Sequence, residues 1–136
     1  MKYFYLLSGG LLVSVVHAFI VWFHRNEHRN TLSEHAVITR RTHVLYFLTH
    51  LYTEATYLAF SHQFFVVEHG LYLAHYLNIV FAALDFIQAL LPSRGKTEKI
   101  HFAAAYTSWV CFLAAGVFAL FSLQVHYPYS AVVACC

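Results

Sequence analysis

Apolar positions in this chain gather into four long runs, at residues 3–23, 44–67, 71–91 and 100–125, with short polar stretches between them. Each run has about the twenty residues that a helix rising 1.5 Å per residue needs to cross a hydrocarbon core of about 30 Å. The pattern predicts an all-α, polytopic membrane protein. It would be an antiparallel four-helix transmembrane bundle, forming one transmembrane domain over residues 1–136. Few residues around Gly70 separate the second and third runs, so these two are expected to be antiparallel neighbours. Pro92 should close the third run, with Ser93-Arg94-Gly95 as the turn after it. Between the first two runs, Thr31-x-x-Glu34 reads as a capping box for a short helix that starts near Ser33 and leads into the second span. Gly10-x-x-x-Ser14 offers the first span a small-residue face for close helix approach, and Ala104, Ser108, Cys111 and Ala115 do the same for the fourth.

Composition sharpens this picture. Hydrophobic residues make up 60% of the chain and charged residues only 10%, against about a quarter charged in a soluble domain. Seven of the eight lysines and arginines fall in 24–43 and 92–99, leaving only Lys2 elsewhere. The positive-inside rule then puts these two loops in the cytoplasm and both termini on the extracytoplasmic side. Charges so few and so divided exclude a nucleic-acid surface. The expected partners are the lipid bilayer and either other membrane subunits or further copies of the chain. Lys2 and Val16-His17-Ala18 give the first run some features of a secretory signal, but Phe19-Ile20-Val21-Trp22-Phe23 prolongs it beyond one. Cys111, Cys135 and Cys136 form no C-x-x-C pair. The tail after Pro128 turns apolar again, as at the start of a further span, which would suit a truncated chain.

Ionisable residues inside the runs are the candidate chemistry. The second run carries His50, Thr53, Glu54, Tyr57 and Ser61 at steps of three and four, and the third carries His75, Asn78 and Asp85 on one face. A carboxylate at this depth costs roughly 2.5–3.5 kcal/mol on insertion scales, so it needs a partner or a function. Counted along the helices, His17, His50, Glu54 and Asp85 can meet at one level, with His62, His75 and Asn78 at a second. The structural alternative has His50 and Glu54 neutralising each other four residues apart, with Asp85 bonded to a neighbouring helix. No cofactor is firmly implied; haem b and a divalent metal are the two candidates. For a b-type haem-binding electron-transfer subunit, the axial pairs would be His17 with His50 and His62 with His75, although His50 and His62 point about 120° apart. For a membrane-embedded, metal-dependent lipid hydrolase, the same imidazoles and carboxylates would hold the metal. His24-x-x-x-His28 also has metal-ligand spacing, but Asn30, Thr31 and Ser33 interrupt the helix there, and a solvated histidine-rich loop is the better reading.

One further pattern spans about half the chain. Phe86-Ile87-Gln88-Ala89-Leu90-Leu91-Pro92, a polar loop, and His101-Phe102-Ala103-Ala104-Ala105 opening the next helix resemble a segment of bacterial six-span membrane proteins of unknown function. Those proteins are related to the damage-regulated autophagy modulators and the post-GPI-attachment remodelling proteins. Leu32-Ser33-Glu34 resembles that group's serine-containing segment. The resemblance implies an integral membrane protein, possible truncation from six spans, and Ser33, Glu34 and His101 as the matched positions. The chain departs from the group in having four apolar runs and no acidic residue directly after His101.

Overall fold

Threonine caps and two glycine turns divide the chain into its helices. The computed structural model describes residues 2–126 except 28, 30, 92 and 94, with the backbone alone at 2 and 124–126. His28, the Pro92 and Arg94 turn positions, and the tail from 127 to 136 lie outside the described residues. All regular structure among those described is helical. Helix α1 is Lys2–Phe23, α2 is the short Leu32–Ala36, α3 is Arg40–Ser61, α4 is Tyr72–Leu90 and α5 is Glu98–His126. Helix α3 runs on as a π-helical segment, His62–Glu68.

Thr31 caps α2 by accepting from Glu34 N. The short helix does not lead straight into the second span as expected. Thr39 starts α3 afresh, its hydroxyl accepting from Thr42 N while the Thr42 hydroxyl accepts from Thr39 N. That reciprocal pair satisfies two donors which the start of a helix otherwise leaves open. Gly70 (φ 66°) makes the turn into α4 and Gly95 (φ 70°) the turn into α5, both in a region that suits glycine.

The long helices pack in sequence, α1 on α3, α3 on α4 and α4 on α5. Each pair is antiparallel. The hydroxyl of Thr53 reaches Gly9 O while His17 lies against Tyr46. His43 meets Ala89 while Ser61 meets His75. His101 meets Gln88 while Leu71, Ala74, Ala119 and Leu123 cluster at the far end. Small residues carry the α4–α5 contact, with Ala74 and Ala82 buried on one helix and Ala104, Ser108, Ala115 and Ala119 on the other. Cys111, expected on that face, is only half-buried. On α1 the close approach belongs to Gly9 rather than Gly10. A Cβ on Gly9 would lie 2.5 Å from Thr56 Oγ1, whereas one on Gly10 would meet nothing within 4 Å.

The outer surface is apolar. Phe4, Leu7, Leu11, Tyr106, Val110 and Phe121 are all more than 60% exposed, a pattern that suits lipid and not water. Three helical stretches are long and apolar enough to cross a membrane: Tyr3–Phe23, Tyr72–Leu90 and Gly95–Leu123. The expected second span, at 44–67, does not reach that standard. Its length is sufficient, but His43, Thr49, His50, Thr53, Glu54, Thr56 and Ser61 make α3 the least apolar of the long helices.

Candidate functional site

Helix α3 carries its polar residues on the face that α1 and α4 cover. Thr49, His50, Glu54 and Ser61 are buried there, four of them within four turns of helix. Close packing against α1 depends on Gly9, and against α4 on a face that offers Asn78, Ala82, Asp85 and Ala89.

At the first level, His50 Nδ1–H donates to Asp85 Oδ2 at 2.7 Å, linking α3 to α4. His50 is therefore paired across the helices with Asp85 and not along its own helix with Glu54. Glu54 also hydrogen-bonds Asp85. One ligand atom from each of His50, Glu54 and Asp85 lies within 4.8 Å of the others, a spacing that can hold a metal ion. His17 comes from α1 with its ring centroid 5.4 Å from that of His50. Tyr46 completes the level. Its ring lies 4.3 Å from His50 and stacks on His17 at 5.5 Å, and its hydroxyl bonds the Gln88 side chain. Tyr46 was not among the expected site residues, though its place four residues before His50 puts it on the same face.

Three buried polar atoms at this level have no hydrogen-bond partner: His17 Nε2, His50 Nε2 and Glu54 Oε2. Buried polar groups are almost always satisfied, and an orphan costs about 1–3 kcal/mol. His50 holds Asp85 through Nδ1 and leaves Nε2, on the opposite edge of its ring, without a partner. Two carboxyl groups that hydrogen-bond each other share a proton, which leaves one negative charge beside the His50 imidazole.

At the second level, Tyr57 OH donates to Asn78 Oδ1 (2.8 Å) and Asn78 Nδ2 donates to Ser61 Oγ (3.1 Å). Ser61 keeps its own proton for His75 Nδ1, at 2.9 Å. His62 lies edge-on to His75 with centroids 5.4 Å apart. The haem pairing finds no room at either level. The His17–His50 and His62–His75 rings already touch, and Tyr46 fills the side of His50, so no slot for a macrocycle lies between the members of either pair.

Several expected sites prove to be joints between helices. His101 is 2% exposed and its Nδ1–H lies 3.0 Å from both Gln88 O and Leu91 O. It closes the end of α4, where carbonyls lack helical partners, and His43 does the same for Ala89 O. Ser33 is buried beside Thr31, 3.2 Å between hydroxyls, and Glu34 opens α2. None of the three matched positions is in the group of His50, Glu54 and Asp85, although Gln88 joins His101 to Tyr46. His24 and His35 are buried and not solvated: His24 Nε2 lies 3.3 Å from the Thr42 hydroxyl and His35 Nδ1–H bonds Thr31 O. Comparison with protein-family models, curated proteins and solved structures finds no match to this chain.

Proposed function

We propose that the chain is a lipid-associated, four-span membrane protein whose buried centre binds a divalent cation through His50, Glu54 and Asp85, with His17 beside them. In this reading α3 is also a span, the second of the four, its polar face covered by α1 and α4. Loops 24–43 and 92–99 face the cytoplasm and both termini lie outside. The observation that carries the proposal is the group of three ligand atoms within 4.8 Å, together with the partnerless Glu54 Oε2. Imidazole and carboxylate ligands suit a first-row divalent ion such as zinc, manganese or ferrous iron.

A second reading extends the first: the centre hydrolyses a lipid. A cleft of about 240 Å³ opens beside Glu54 between Leu6, Gly10, Tyr57, Phe81 and Phe112, residues of all four long helices. Its size fits one acyl chain or a ring better than a whole diacyl lipid. A bound divalent ion would supply Lewis acidity there, while Thr53, Thr56 and Tyr57 hydroxyls line the approach.

Elemental analysis of the full chain, purified in detergent after growth with zinc, manganese and iron, tests the proposal. About one divalent ion per chain, lost in Glu54→Gln and His50→Ala, is the expected result. A well-folded, metal-free protein after such growth overturns it and leaves the centre as a proton-sharing joint between helices. Turnover of a short-chain ester lipid that follows metal content separates the hydrolase from a binding protein.

A further inference from the structure

We propose that the groove between the end of α1 and the start of α3 binds the phosphodiester head group of an anionic glycerophospholipid. The groove measures about 570 Å³, with Phe19, Phe23 and Leu45 as apolar walls and Thr39, Arg40 and Arg41 at its polar end. It is separate from the His50 centre and does not depend on a metal there.

Arg40 and Arg41 sit where helix electrostatics disfavour them. They occupy the first turn of α3, which holds no acidic residue, and the positive end of the helix dipole repels a cation. Both are exposed, and among the described residues no carboxylate pairs with either. An anion between the two guanidinium groups would answer both the dipole and the missing counter-charge. Arginine forks match phosphate oxygens two at a time, which favours a phosphate ligand.

The walls identify the rest of the molecule. Phe19 and Phe23 are 43% and 57% exposed on the outer side of α1 and extend the groove along the apolar surface. Trp22 lies in the same turn, and aromatic residues of this kind collect where a helix leaves the hydrocarbon. The groove is large enough for a head group and glycerol with the first part of an acyl chain, and far larger than a bare phosphate needs. The general bias of basic residues to one side of the membrane accounts for arginines in this loop. It does not account for two unpaired arginines lining one groove with aromatic walls.

Native mass spectrometry of the full chain, released from nanodiscs of equal phosphatidylglycerol and phosphatidylcholine, tests the proposal. The wild type should retain phosphatidylglycerol in preference to phosphatidylcholine. Arg40→Gln and Arg41→Gln should each weaken that retention about fivefold, the weight of one basic residue at an anionic surface. Lys99→Gln, a charge change on the same side but outside the groove, should leave it as in the wild type. The single variants keep one guanidinium, so the test survives if the double variant fails to fold. Equal retention in wild type and arginine variants overturns the proposal, and so does an equal loss in Lys99→Gln, which would report surface charge alone. Thermal stabilisation by inorganic phosphate as large as that by phosphatidylglycerol would show a free-anion site and overturn the lipid assignment.

Discussion

Around Tyr57, Ser61, His75 and Asn78, hydrogen bonds run from donor to acceptor across α3 and α4 with no buried polar side-chain atom left over; around His50, Glu54 and Asp85, one to two turns further along the same helices, three are left over, counting His17 Nε2 from α1. Both levels join the same helices and each has a buried centre, His50 and Glu54 in one and Ser61 and Asn78 in the other. The second level is made of neutral groups that complete one another, which is how polar residues hold membrane helices together. The first level gathers charge-bearing groups, with one ligand atom from each of His50, Glu54 and Asp85 within 4.8 Å of the others. A joint does not need that arrangement, whereas a ligand site does.

Metal content should separate the two levels most sharply. Glu54→Gln or His50→Ala should lower bound divalent ion at least tenfold, while Asn78→Ala should leave it unchanged; elemental analysis reads both. If Asn78→Ala empties the centre as fully as Glu54→Gln, the two levels are one unit and the contrast fails. Gly9→Leu should come next, destabilising the protein by about 1–3 kcal/mol by overpacking, because its side chain enters the Thr53–Thr56 surface. Gly10→Leu, built into open space, should stay within about 0.5 kcal/mol of the wild type. Thermal unfolding in detergent compares the pair, and Gly9→Leu should also weaken metal retention by lifting α1 and His17 from α3. Asn78→Ala should cost about 0.6–1.7 kcal/mol, the span measured for polar links between membrane helices. Among the lost hydrogen bonds, the smallest effect belongs to His101→Asn, expected at about 0.5–1.5 kcal/mol from one lost cap. Its metal content should be normal, and a loss there would place His101 in the site after all.

Much of the fold can be read from periodicity and charge. The α1 boundaries follow the apolar run from Tyr3 to Phe23, and α4 and α5 begin and end within two residues of the third and fourth runs. Two features resist that reading. The break between α2 and α3 is written in Thr39 and Thr42, a threonine pair outside the usual Ser/Thr-x-x-Glu/Gln pattern. The π-helical turn at His62–Glu68 has no compositional signature, yet it widens the helix and upsets any rotation counted at 100° per residue beyond Ser61. In the candidate site, helical spacing places His50, Glu54 and Asp85 at a common depth, but depth alone does not choose partners. Asp85 takes His50 because α4 approaches α3 on that side, a fact of packing that no local pattern encodes. Histidine number misleads in the other direction. Of the 11 histidines, His24, His35, His43 and His101 tie loop and helix ends, where imidazole N–H and ring nitrogen serve as small hydrogen-bonding plugs.

The weak apolarity of α3 has a consequence for how such a chain is made. A segment with His50, Glu54 and a line of threonines is a poor candidate to leave the translocation machinery for lipid unaided. In the four-span reading proposed above, its short connection to α4 lets the two enter as a helical hairpin, with Asp85 already beside His50 before either meets acyl chains. On that view the ionisable groups are burdens that travel together, and the order of synthesis becomes part of what makes the centre attainable. Separating α3 from α4 with a long soluble linker should leave α3 outside the bilayer, even though every residue of the finished protein would be present.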